Sequence, residues 1–223
     1  MKNTFYHFSS KGYLNTMSVA PVIAELAYLR DDRSPDGGIN IREQLLLGEY
    51  PAGLEFPVEY IVNDNGKMTD VLEMRWPGMF LISDHVKQVF EENGLTGWKA
   101  FDVVVWKRGG EQQITGYNGF TVTGRLPEGW DSDDAEFPDF FNLRSTTFVI
   151  CTPKVRAVLK ENKIKCFEVY LIDKEDCESI IKIGKEFCHK KDEGSVDEGS
   201  VFFEKIHESL MSADQPEKGK AKK

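Results

Sequence analysis

Cys166, Cys177 and Cys188 recur every eleven residues, and thiolates in a group are the usual ligands of a structural zinc ion. The neighbours argue against that chemistry. Cys177 and Cys188 fall on one apolar stripe with Ile180, Ile181, Gly184 and Phe187, where a free cysteine acts as a small hydrophobe. Adjacent Cys188 and His189 project about 100° apart on a helix and do not converge on one ion. The four histidines, His7, His85, His189 and His207, are spread over different segments, whereas a general base needs a proton within reach and a group to orient it. The stretch Asp131-Ser132-Asp133-Asp134-Ala135-Glu136 comes nearest to a calcium loop, but it lacks the mid-loop glycine and the closing bidentate glutamate. No phosphate-binding loop, zinc-binding HExxH helix, GxSxG elbow or GxGxxG turn is present. No catalytic residue, metal ligand or cofactor is therefore expected. The alternative is an enzyme or small-molecule-binding domain whose site is assembled from scattered polar residues such as His7, His85, Tyr117 and Arg125.

A different chemistry, that of protein recognition, is written into residues 128–141. This segment holds six acidic residues, four aromatic residues and no basic one. Carboxylates steer a basic partner in, and aromatic rings supply anchor area that loses its water on binding. Trp130, Asp131, Asp133, Asp134 and Glu136 are the expected partner-binding residues, with Trp130 exposed. The competing expectation is a solvated connecting loop whose aromatics fold back onto the core, because Phe140 and Phe141 lead straight into an apolar run.

The bulk properties agree with a protein partner. Net charge is −9 and the isoelectric point about 5.1, which argues against nucleic acid, since affinity for phosphate backbones needs a surplus of Lys and Arg. Hydrophobic residues make up 40% and aromatics 12% of the 223, enough for a sizeable core. No run of about 18 apolar residues exists to span a membrane, the first residues carry no apolar stretch of a secretory signal, and cysteines are few and without a CxxC pair. These features predict a reduced, cytoplasmic protein.

The elements that must position these residues are dominated by a repeat. Residues 80–105 and 148–172 share one pattern of apolar run, small polar cap, helical spacing, turn and alternating strand. Val86, Lys87, Val89, Phe90, Glu92, Asn93 and Leu95 match Val155, Arg156, Val158, Leu159, Glu161, Asn162 and Ile164. Ser83, Asp84 or Thr152 can cap the two helices, Pro153 suits a first turn, and Gly94 suits a left-handed end that Lys163 takes in the second copy. Outside the repeat, Phe5-Tyr6-His7-Phe8 reads as an opening strand. The spacing of Val22, Ile23, Leu26 and Leu29 predicts a helix over 19–29. Residues 49–62 and 68–74 read as a hairpin turned at Asn63-Asp64-Asn65-Gly66, and 113–125 as hairpin-like. A helix is expected over 175–189 and a short one over 202–211, with a polar linker between them and a solvated tail after them. The fold expected is α+β: a mixed sheet with two duplicated strand–helix–strand units and a helical C-terminal extension. Its parts are an N-terminal region packed on the core (1–75), the duplicated core (76–189), and a flexible linker, short helix and tail (190–223).

Three motifs then occur in order: Gly94-Leu95-Thr96-Gly97-Trp98, Val122-Thr123-Gly124-Arg125, and Asp139-Phe140-Phe141 leading to Thr152-Pro153-Lys154-Val155. This order resembles the immunity proteins of bacterial polymorphic toxin systems, in particular the double-CxxCG-motif immunity family and its relatives, over residues 76–172. The chain lacks the CxxCG pairs, so that family's metal-binding ribbon is not carried over. The resemblance implies a cytoplasmic, non-enzymatic protein that binds and neutralises a cognate, basic toxin.

Overall fold

The structure, a computed structural model, describes residues 4–10, 17–22, 44, 45, 47–50, 57–63, 66–73, 78–128, 130, 135–143, 146, 148–164, 167–172 and 177–182. Twelve strands and two nine-residue helices are defined among them. The architecture is α+β, with strands in the majority.

The strands fall into three four-stranded sheets. The first has the order β4-β5-β9-β6, formed by Val71–Glu73, Phe80–Ser83, Tyr117–Val122 and Trp98–Phe101. The second has the order β10-β11-β1-β12, formed by Phe140–Asn142, Val149–Cys151, Phe5–Ser10 and Phe167–Ile172. All neighbouring pairs in these two sheets are antiparallel. The third, β2-β3-β7-β8, uses Val19–Pro21, Val58–Val62, Val103–Trp106 and Gln113–Ile114, and is mixed because β3 and β7 run parallel.

The first two sheets share a connection pattern. Helix α1 (Asp84–Glu92) joins β5 to β6, and helix α2 (Pro153–Glu161) joins β11 to β12. In each case the joined strands are held apart by an antiparallel strand from elsewhere in the chain: β9 in the first sheet, β1 in the second. Local sequence explains both helices. Ser83 Oγ accepts the Val86 amide at 3.3 Å, which satisfies one of the orphan donors of the first turn of α1. Pro153 opens α2, where its missing N–H costs nothing, and Thr152 makes no side-chain cap bond. The C-terminal ends correspond bond for bond. Asn93 and Asn162 send their side-chain amides to Val89 O and Val158 O, and the Leu95 and Ile164 amides reach Phe90 O and Leu159 O. Gly94 and Lys163 both take φ of 55°.

Strand alternation sorts the apolar residues into layers. One cluster lies between the two antiparallel sheets and receives both helices through Val86, Val89 and Phe90 of α1 and Val155, Val158 and Leu159 of α2. Its centre is a group of rings in which Phe8, Phe80, Phe120 and Phe140 meet mostly edge to face at 5.3 to 6.2 Å. The opposite face of the β4-β5-β9-β6 sheet, through Leu72 and Leu81, packs on the mixed sheet in a second cluster. There Tyr50 and Tyr60 share a buried hydroxyl–hydroxyl hydrogen bond of 3.0 Å. The opposite face of the β10-β11-β1-β12 sheet, through Phe5, Phe141 and Ile150, carries a third cluster that includes Cys177 and Ile180 of the helical residues 177–182.

Several local expectations change. The predicted helix over 19–29 begins instead as strand β2, and Pro21 is tolerated there because β2 is an edge paired only with β3 among the described strands. The two runs read as a hairpin about Asn63–Gly66 belong to different sheets: β3 pairs with β2 and β7, and β4 with β5. Likewise β8 pairs with β7, not with β9. The opening strand is β1, as expected. It sits inside the second sheet, between β11 and β12. Cys166, Cys188, His189, His207 and the segments beyond residue 182 lie outside the described residues.

Candidate partner-binding surface

The acidic aromatic segment lies between β9 and β10 in the chain. Trp130 is half-buried and packs with Phe137 against the third cluster. The expectation of a freely exposed Trp130 is corrected: its ring is half-buried against the apolar third cluster and anchors the segment. Phe137 is anchored too, with its ring 4.7 Å from that of Phe5. Glu128 and Glu136 are exposed. Asp131, Asp133 and Asp134 lie outside the described residues.

Asp139, the last acid of the segment, has a different job. It is 7% exposed and points inward. Its Oδ2 accepts from the Thr96 amide at 2.9 Å, the Thr96 hydroxyl at 3.2 Å and Lys154 Nζ at 3.1 Å, while Oδ1 accepts from the Thr152 hydroxyl at 3.1 Å. Its own amide donates to Thr96 Oγ1 at 3.0 Å, and Lys154 Nζ also reaches Gly94 O at 3.2 Å. One carboxylate thus joins the turn after α1, the start of β10 and the first turn of α2. Gly97 and Gly124 belong to the same joint. A side chain on either would collide with the carbonyl oxygen of Phe140, so only glycine lets the strands approach there. The ordered sequence motifs are in this way the parts of one structural junction.

The scattered polar residues of the alternative reading do not come together. His7 faces the third cluster, stacked on Phe148 at 4.2 Å, whereas Tyr117 packs against the second. His85 is exposed in the first turn of α1, two residues after Ser83, the register partner of Tyr117. Arg125 lies beyond the far end of β9, where its Nη1 donates to Gly124 O at 2.7 Å. Tyr117 is also committed locally: its hydroxyl donates to Thr69 O at 2.8 Å.

The perturbed titrations tell the same story. Burial raises Tyr50 and Tyr117 to about 12 and raises the Tyr60 and Cys151 groups strongly. Burial also lowers Arg125, against the pull of Glu49. In each case desolvation is the first cause and a neighbouring charge or hydrogen bond the second, which is how packed residues behave and not how a matched acid–base pair is tuned. Among the described residues no group of three or more His, Cys, Asp or Glu side chains could hold a metal ion, and no helix is long and apolar enough to cross a membrane.

His7 carries a pH prediction. Burial lowers it from 6.5 to about 4. Between those values the unfolded chain binds a proton that the folded chain refuses, so stability is complete above pH 6.5 and falls as pH drops towards 4. Allowing for the edge of the residue that meets solvent, the loss should be about 2 kcal/mol. In His7→Gln the urea midpoint should therefore fall less between pH 6.5 and 4.5 than in the native chain. An equal fall would show that His7 does not contribute.

No protein-family model matches this chain, and a search of curated proteins found no match.

Proposed function

We propose that the chain is a non-enzymatic, cytoplasmic immunity protein that binds and neutralises a cognate, basic bacterial toxin through the outer face of its β10-β11-β1-β12 sheet. The observation that carries this reading is the anchoring of the acidic segment. Trp130 and Phe137, which flank Asp131, Asp133 and Asp134 in sequence, are both seated on the third cluster, and Glu128 and Glu136 beside them are exposed. An acidic stretch held at both ends by packed rings loses less conformational freedom on binding than a free loop does. The net charge of −9 adds long-range attraction for a basic protein. The commitment of the chemically capable side chains to packing and capping supports recognition over catalysis.

The direct experiment is co-expression with, and pull-down of, the toxin encoded beside this gene. A stable complex and loss of toxicity are expected, and toxicity undiminished by the co-expressed chain would sink the reading. Replacing Asp131, Asp133 and Asp134 with Asn should slow association roughly tenfold at low salt and flatten its salt dependence, while dissociation changes less. Unaltered association kinetics would remove those three residues from the interface.

A further inference from the structure

The two antiparallel sheets match in more than their connections. One constant step in residue number, the step from Val71 to Phe140, carries β4 onto β10, β5 onto β11, α1 onto α2 and the start of β6 onto that of β12, with no insertion or deletion. The same step carries the pairs Val71–Ile82, Leu72–Leu81 and Glu73–Phe80 onto Phe140–Cys151, Phe141–Ile150 and Asn142–Val149. It also carries the hydroxyl bond from Ser83 to Asp70 onto that from Thr152 to Asp139, both of 3.1 Å. A second constant step superposes the inserted strands. Asn118 faces Ile82 as Tyr6 faces Cys151, and Phe120 faces Ala100 as Phe8 faces Val169. In sequence that correspondence runs on to Gly124 and Gly12.

In chain order the inserted strands are crossed over. β1 precedes β4-β5-α1-β6 but completes the sheet of β10, β11 and β12, whereas β9 precedes β10-β11-α2-β12 but completes the sheet of β4, β5 and β6. Two slots of one register therefore exist, between β5 and β6 and between β11 and β12. Their inner faces do not distinguish the strands: Phe8 and Phe120 hold matching positions in one core, with their rings 6.1 Å apart. Their outer faces do. Where β1 has His7, β9 has Gly119, directly opposite Phe101. Gly119 has no left-handed backbone that calls for glycine, and glycine weakens the interior of a strand. Space calls for it instead, because a Cβ there would collide with the Phe101 ring. That ring is packed edge to face on Tyr50 at 5.6 Å. In the second sheet His7 has room, and its ring stacks on Phe148 at 4.2 Å.

We propose that the chain is two copies of one β–β–β–α–β unit that have exchanged their first strands, and that Phe101 lying over Gly119 is the selector that bars β1 from the sheet of its own unit. The bar acts during synthesis. β5 and β6 leave the ribosome before β11 and β12, so β1 meets a slot of matching register before its native one exists. His7 cannot enter that slot against Phe101, whereas Gly119 can, and the slot is kept open for β9. The apolar alternation of β1 alone would accept either sheet, so the choice rests on one steric contact on the outer face. The inference stands apart from toxin binding and is tested with the chain alone.

The test reads which sheet β1 occupies. Tyr6→Cys sets a thiol opposite Cys151 in the native pairing, and opposite Ile82→Cys when β1 enters the first sheet in the matching register. The full chain carrying Tyr6→Cys and Ile82→Cys is unfolded in urea with reductant, refolded under oxidising conditions and mapped by mass spectrometry. Position 6 should link to Cys151 and not to position 82. Adding His7→Gly, or separately Phe101→Ala, should raise the link to position 82 about tenfold or more, the shift that relief of one overpacked contact gives. Leu81→Cys in place of Ile82→Cys should stay unlinked in every background, because adjacent strand residues face opposite sides. A link to position 82 that neither His7→Gly nor Phe101→Ala raises would overturn the selector. Equal links to positions 81 and 82 would overturn the matching slots. Circular dichroism identifies the folded variants, and the two ways of opening the slot are independent, so if one variant fails to refold the other decides.

Discussion

Phe140→Ala is expected to cost the fold about 3–5 kcal/mol, read as a drop in the urea midpoint with little change in slope. The side chain is fully buried and its ring meets those of Phe8, Phe90 and Phe120 at 5.6, 5.2 and 5.3 Å, so truncation opens a void bounded by both antiparallel sheets and by α1. Little can collapse into that void, since the carbonyl of the same residue is held against Gly97 and Gly124. Phe140→Leu refills most of the volume and should cost about 1–2 kcal/mol. A loss for alanine no larger than that for leucine would mean that the two sheets close up around the gap.

Asp139→Ala is the other large loss, about 2–3 kcal/mol. The carboxylate accepts four hydrogen bonds, and without it the Thr96 amide and the Thr96 and Thr152 hydroxyls lose their acceptor at a buried joint. Lys154 contributes least, because its side chain is 51% exposed and can turn to water. Lys154→Ala should accordingly cost less than about 1 kcal/mol, and the contrast between the two variants separates a hydrogen-bonded staple from a simple ion pair. Equal losses would place the energy in the charge pair instead.

The sequence made some of this legible and hid the rest for definite reasons. Helical spacing and capping are local, so α1, α2, the Ser83 cap and the shared left-handed ends at Gly94 and Lys163 could be read directly. Strand identity is also local, which is why β1 and the strands after each helix were visible. Strand partners are not: the turn residues near Asn63–Gly66 invite a hairpin, yet β3 finds its neighbour in β7, and nothing near either strand encodes that choice. By composition Asp139 is one of six acids in its segment, because composition averages over position. The hint to its true place was adjacency to Phe140 and Phe141, at the start of a run too apolar to face water. Trp130 reads differently for the opposite reason: its acidic neighbours advertise solvent, whereas the apolar cluster that seats it is completed by Phe5 of β1 and Ile150 of β11, which its own segment does not reveal.

The central place of β1 in its sheet sets the timing of synthesis. Phe5 pairs with Ile172, and all six residues of β1 find partners in β12. A ribosome adding roughly 5–20 residues per second needs about 10–30 seconds to travel from one to the other. The β4-β5-β9-β6 sheet can close well within that interval, but the nascent chain must carry the sticky opening strand unpaired until β11 emerges and with one open edge until β12 follows. The chain is therefore expected to depend on holding chaperones during translation, and moving β1 to follow β12 by circular permutation should relieve that dependence by making the longest-range pairing a local one.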